Sequence, residues 1–324
     1  FSYIVFLRIR MIKIAYNTLR LLRPRQWIKN TAIFAAIAFS GDLFDVLILQ
    51  KVFLAFIAFC SLSSASYIIN DIFDIKKDRL HPFKRFRPLA NKDLTKNYAL
   101  TIAFILVIAS FILGAMVTPA FFILQIIYLL IQFFYSTTLK TIAVIDILVI
   151  AFGYILRVYA GELAGGVHIS VWLLLTTISL SLFLAIGKRR SELTLVSQNK
   201  SVNIADVRKT LSHYSERLLD VYASIFATST FVSYTLFTFL ENPRGFNLGL
   251  SIFLPDFLPA FFQRKWLMIT IVPVVYGLMR YLQDIYEKHE GESPERVLTS
   301  DKPLLIAVLF WIALVIVIIY VIGP

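Results

Sequence analysis

Apolar residues in this chain collect in long runs, without the alternation of a strand. The runs fall at about 27–41, 46–69, 98–117, 119–135, 142–161, 170–187, 219–240, 265–282 and 303–322. Most approach the roughly 20 residues that an α-helix needs to cross a bilayer. Backbone polar groups inside lipid must be satisfied within the segment, so such runs are helices. The pattern predicts an all-α polytopic membrane protein with about nine transmembrane helices. The break at Thr118-Pro119 reads as either a kink or a turn. Residues 11–29 set Lys13, Arg20, Arg23, Arg25 and Lys29 among apolar positions. That is the pattern of a basic amphipathic helix lying on a membrane surface. The expected division is a basic segment over 1–25 and a single transmembrane domain over 26–324. The opening FSYIVFLRIR is too short and too basic for a secretory signal, and Met11 is the expected start.

Composition adds direction to this picture. The chain is 58% hydrophobic and carries a formal charge of +12, with a mean hydropathy of +0.76. In a soluble protein that charge would suggest nucleic acid. Here the positive-inside rule accounts for it, and no nucleic-acid partner is implied. With a cytoplasmic N-terminus, 27 of the 32 Lys and Arg fall on inside segments, four fall outside, and Arg157 lies within a span. The large polar loops, 70–97 and 188–217, are then cytoplasmic. The outer loop 241–264 holds Pro243, Gly245, Pro255 and Pro259 and reads as an interfacial helix or lid. SPER, beginning at Ser293, reads as a helix start with Pro at the first position. A single cysteine, Cys60, excludes an intramolecular disulfide.

The densest charge lies in Tyr67–Ala90, YIINDIFDIKKDRLHPFKRFRPLA. On a helix, Asp71, Asp74 and Asp78 stand at i, i+3 and i+7 and share one face. Carboxylates so placed repel each other unless a cation sits among them. Oxygen ligands at this spacing suit Mg²⁺, which is usually held by one or two carboxylates plus substrate phosphates. The neighbouring Lys84, Arg85 and Arg87 suit phosphate oxygens, with lipid headgroups as their alternative partner. The first expectation is a Mg²⁺–diphosphate site at a membrane surface.

NDIFDIKKD, at the end of the second span, fits N-D-x-x-D-x-x-x-D and resembles the UbiA superfamily of intramembrane prenyltransferases. The resemblance runs from Arg23 to the last span and implies a helical bundle around a central cavity. LRPRQWIKN (22–30), HPFKRFRPLA (81–90), YSTTLK (135–140) and LAIGKRRSEL (184–193) resemble the branch that acts on polyprenyl (decaprenyl) phosphate. Other superfamily members carry a second aspartate-rich motif after span six. This chain has Lys188, Arg189, Arg190 and Glu192 there instead.

The resemblance implies transfer of 5-phosphoribose from phosphoribosyl diphosphate (PRPP) to a polyprenyl phosphate. It implies Mg²⁺ as cofactor, with Mn²⁺ as a substitute, and membrane lipids as surroundings. It places the protein in a bacterial inner (plasma) membrane with the site facing the cytoplasm, as a monomer or homo-oligomer. Asp71 and Asp74 become the metal ligands, with Asp78 and Asn70 beside them. Lys188, Arg189 and Arg190 become partners for the 5-phosphate, with Glu192 orienting them. Tyr135 and Lys140 become contacts for diphosphate, or else interface anchors. Arg25 and Lys29 face the polyprenyl phosphate or anchor the helix. Within span five, Asp146 is the nearer to the site. Arg157 lies about 16 Å along that helix, too far to pair with Asp146, and has Glu162 as its expected partner. Gly153, Gly161, Gly165 and Gly166 suggest close helix packing there. Two alternatives stand beside this reading. One is a prenyl transfer from polyprenyl diphosphate to an aromatic or other acceptor, which the cationic KRRSE disfavours. The other is a transporter, which calls for polar residues at mid-membrane rather than at cytoplasmic helix ends.

Overall fold

A computed structural model describes residues 2–80, 84–198, 209–241, 265–288 and 294–322. Among them there are helices and no strand. The helices are α1 (Ser2–Leu22), α2 (Ala35–Ser40), α3 (Val46–Leu80), α4 (Lys96–Ala115), α5 (Pro119–Thr137), α6 (Ile145–Gly165), α7 (Val171–Gln198), α8 (Glu216–Leu240), α9 (Ile271–Gln283), α10 (Pro294–Ser300) and α11 (Lys302–Ile316). Among the described residues, eight helical stretches are long and apolar enough to cross a membrane. They correspond to the second through ninth predicted runs. The outer loop's lid, 242–264, lies outside the described residues.

The first predicted span, 27–41, is built differently. Eleven residues of 3-10 helix, Pro24–Phe34, lead into six of α-helix in α2. The winding matters for reach. At about 2.0 Å per 3-10 residue and 1.5 Å per α residue the composite covers about 31 Å, close to a hydrocarbon thickness. It runs antiparallel to α3. At one end Arg23 bonds Asp71. At the other, the Leu43 N–H donates to the Tyr320 hydroxyl at 3.1 Å. Arg23 makes the turn out of α1 with φ at +54°.

Polar capping side chains and prolines fix several helix starts. Thr95, Ser215 and Asp301 accept from the N–H groups of Tyr98, Leu218 and Leu304. Thr118 caps α5 through the Phe121 N–H, with Pro119 at the first position. The 117–119 break is therefore a turn between two helices. Pro294 opens α10 as SPER predicts. The two polar loops are shorter than predicted. α3 continues through Leu80 and α7 through Gln198, so Lys188–Glu192 sits on a helix.

α3, α5, α6 and the composite share one apolar cluster, with Phe59, Phe121 and Tyr128 at its centre. α6–α9 and α11 share another around Phe183, Ile186 and Leu219. Gly161 lets the composite press onto α6, since a Cβ there would stand 1.8 Å from the Ile33 carbonyl oxygen. Outward faces stay apolar, with Phe104, Ile112, Val272 and Met279 exposed. That arrangement suits lipid, where no hydrophobic penalty applies.

Candidate active site

α3 has 35 residues and is about 52 Å long, far beyond a hydrocarbon thickness. Its last turns carry Asn70, Asp71, Asp74 and Asp78, and other elements pack over them. Each carboxylate meets a cation from another element. Asp71 is buried and accepts from Arg23 of the α1 turn and, at 3.1 Å, from Arg87. Asp78 accepts from Arg87 at 2.8 Å. Asp74 is more open, with its side chain 18% exposed, and both its oxygens lie 2.7–2.8 Å from Lys140 Nζ. The same ammonium reaches Asn70 Oδ1 at 3.2 Å. Burial works against the Arg23 cation, yet Asp71 outweighs it and raises the guanidinium's pKa further. Arg23 also lies over the Tyr67 ring at 5.3 Å.

On α7 the three consecutive basic residues diverge, as about 100° per residue requires. Arg189 is wholly buried, and its guanidinium is fully engaged. It donates to Asp146 Oδ2 at 2.7 Å, Glu192 Oε2 at 2.7 Å and the Tyr135 hydroxyl at 3.2 Å. Arg190 turns the other way, to Asp220 at 2.7 Å and Glu216 at 3.2 Å on α8. Lys188 lies on the side of Tyr135, Lys29 and Glu192. The KRR run is thus not one phosphate-binding cluster. Glu192 also receives Lys84 at 3.3 Å, which ties the loop after α3 to α7.

Asp146 is not a group open to substrate. It is buried among Arg189, Thr210 and Tyr214, whose hydroxyl donates to it at 2.7 Å. Burial and Asp146 together push the Tyr214 phenol well above its ordinary range. Arg157 does not pair with Glu162, which instead lies 3.2 Å from His168 Nδ1. Its guanidinium bonds Asn30 Oδ1 at 2.7 Å, the Tyr128 hydroxyl at 3.0 Å and the Gly153 carbonyl. No carboxylate neutralises it among the described residues, and it holds the composite to α6 through Asn30. Arg25 and Arg85 are exposed, Arg85 over the Phe86 ring, and neither joins the carboxylate face.

A cavity of 450 Å³ runs between the composite, α6–α9, α10 and α11. Its wall is mostly apolar, with Phe39, Leu173, Leu304 and Trp311. Lys29 and Glu295 form its polar end, 3.0 Å apart. Sequence reasoning missed Arg23 and Glu295 as site residues. Gln26 and Lys29 both reach Glu295, across a separation that no local spacing signals. Burial alone would raise the Glu295 carboxyl, but Lys29 overrides it and holds the group below its ordinary value.

Comparison with known proteins agrees with this architecture. Residues 30–300 match the model of the UbiA prenyltransferase family. The decaprenyl-phosphate phosphoribosyltransferase of Mycolicibacterium smegmatis is 34% identical over 298 residues, covering 91% of this chain and 89% of the relative. The protein of the same name from Mycobacterium tuberculosis is 33% identical over 303 residues, covering 92% and 93%. A UbiA homolog from Archaeoglobus fulgidus, solved with GPP and Mg²⁺, superposes with a TM-score of 0.66 at 19% identity, covering 94% of this chain and 99% of that one. The chain belongs to the UbiA prenyltransferase family and is an integral-membrane transferase.

Proposed function

We propose that this transferase moves 5-phosphoribose from PRPP to the phosphate of a polyprenyl phosphate, with release of diphosphate, at the cytoplasmic face. One observation carries the reading. The α3 carboxylates meet Arg23, Arg87 and Lys140 from separate elements, and the composite helix that follows Arg23 lines an apolar cavity through Ile28, Lys29 and Phe39. Such a mixed site suits a metal-bound diphosphate with further phosphates around it, and the cavity suits the head end of a long apolar acceptor. The relatives named decaprenyl-phosphate phosphoribosyltransferase support the choice of donor and acceptor.

The fit to Mg²⁺ follows from the donor set. Among the described residues no three acidic, His or Cys side chains converge as a ready cage. Asp71 and Asp74 instead hold cations where a metal would sit. That suits an ion taking one or two carboxylates and completing its shell on substrate phosphates, as Mg²⁺ does. Mn²⁺ would substitute. When bound, the ion stabilises charge on the departing diphosphate.

The chain's own residues do the rest. Lys140 and Asn70 grip the diphosphate side, and Arg87 and Lys84 meet the 5-phosphate. The bond from the anomeric carbon to the diphosphate oxygen breaks, and a bond to an acceptor phosphate oxygen forms. That oxygen is already anionic near neutral pH, so no general base is required. Fixed cations aimed at the separating charge lower the barrier without reorganising.

The test incubates purified protein with labelled PRPP, polyprenyl phosphate and Mg²⁺, and in parallel with polyprenyl diphosphate and an aromatic acceptor. The expected product is a lipid-linked ribose phosphate. Consumption of polyprenyl diphosphate onto an acceptor, with PRPP untouched, would overturn the reading.

A further inference from the structure

We propose that Glu295 is a built-in competitor for the acceptor's phosphate, a carboxylate that fills the phosphate seat until a phosphate monoester displaces it. The inference rests on the polyprenyl-phosphate acceptor of the reading above. It names the seat and the group that guards it.

The geometry is that of an anion site with an internal occupant. Gln26 Nε2 donates to Glu295 Oε1, and Lys29 Nζ lies 3.0 Å from Oε2. Lys29 is also braced at 2.5 Å by Gln26 Oε1. Gln26 thus hydrogen-bonds one carboxylate oxygen, while the other is buried, faces Lys29 as an ion pair and accepts no hydrogen bond among the described residues. The pair lies at the polar end of the 450 Å³ cavity, and among its described lining residues Lys29 and Glu295 are the only charged ones. An amphiphile with an apolar tail along Phe39, Leu173 and Trp311 would bring its headgroup to this point.

The charge count favours a phosphate over the carboxylate. Lys188 lies within electrostatic reach of both Lys29 and Glu295. Its ammonium makes no hydrogen bond among the described residues. Across the ion pairs that join this point to α7, the cations Lys29, Lys188, Arg189 and Lys84 face the carboxylates Glu295, Glu192 and Asp146, a surplus of one positive charge. A phosphate monoester carries about 1.5 to 2 near neutral pH and three acceptor oxygens. The seat is therefore under-filled by Glu295 and matched by a dianion. Glu295 sits on α10, a helix of seven residues. The donor's anchors, Asp74 and Lys140, belong to α3 and the turn after α5, so the two subsites draw on different elements.

The test is a binding titration followed by tryptophan fluorescence, to which Trp311 in the cavity wall contributes. The detergent-solubilised full chain is titrated with polyprenyl phosphate and with phosphate-free polyprenol, without PRPP or metal. Wild type should prefer the phosphate. Glu295→Gln should bind polyprenyl phosphate about five- to tenfold more tightly, because a competing charge is gone. Lys29→Gln should lose about tenfold or more of the phosphate affinity and bind polyprenol as wild type does. A purely structural ion pair gives the opposite result, with Glu295→Gln unchanged or weaker, and that overturns the inference. A Lys29→Gln variant that still prefers the phosphate overturns it too. Should that variant lose polyprenol binding as well, Glu295→Gln decides alone. Wild type that does not distinguish the two lipids overturns the acceptor reading itself. Inorganic phosphate in place of the lipid separates a free-ion seat from a lipid-headgroup seat. Displacement only by millimolar phosphate supports the lipid, and displacement at micromolar phosphate overturns it.

Discussion

Two helix ends meet at this site, and they are charged in opposite senses. The end of α3 presents Asp71, Asp74 and Asp78, and the end of α7 presents Lys188, Arg189 and Arg190. The α3 carboxylates and the two α7 arginines are all paired, but to different depths. Arg189 is sealed, with every nitrogen of its guanidinium bonded and no exposure. Asp74 is held by one flexible lysine and stays partly open. A buried ion pair with complete hydrogen bonding is a fixture, because loosening it strands charge in a poor solvent. A partly open carboxylate on a lysine is exchangeable, since the lysine is a mobile point charge. The lesson concerns depth and partner number. The run of cations on α7 looks like the stronger phosphate site, yet its central arginine serves as a structural pin.

The sharpest way to break this contrast is Arg189→Met. Removing the cation leaves Asp146 and Glu192 without it, which should cost about 3–5 kcal/mol of stability. Thermal unfolding in detergent checks this. A variant that melts with wild type would show that α7 is not pinned there. Next comes Asp74→Asn. Its effect should fall on turnover, about 10²–10³-fold in kcat, with the melting temperature nearly unchanged. Assay and melting curve together decide, and a loss of fold with activity intact would reverse the assignment of the two ends. The smallest effect belongs to Arg190→Gln. Its partners on α8 are 35% and 46% exposed, so the pair contributes about 0–1 kcal/mol. Activity should stay within about twofold, and a large loss would return the KRR run to the phosphate site.

The carboxylate face was legible because all its members lie on one helix, where spacing alone sets the face. Lys140 was legible as a cation just beyond the end of the apolar run 119–135. The partners that complete the site were not. Arg23 meets Asp71 across 48 positions, and Gln26 meets Glu295 across 269. Nothing local marks such meetings. The runs at 46–69 and beyond gave their helices directly, since lipid demands unbroken apolar length. The first span was less legible, because its reach depends on 3-10 winding that hydropathy does not encode. Arg190 misled for the simplest reason: adjacent residues in sequence are not adjacent around a helix.

The pairing of every site carboxylate with a cation has a consequence for how ligands enter. A lone ion arriving here would strand an unmatched charge in a poorly solvated pocket, at a cost of several kcal/mol. A cation and an anion arriving together meet no such barrier. On the proposed reading the carboxylate takes the new cation and the lysine takes the new anion, as in double decomposition between two salts, so each charge changes partner without being left alone.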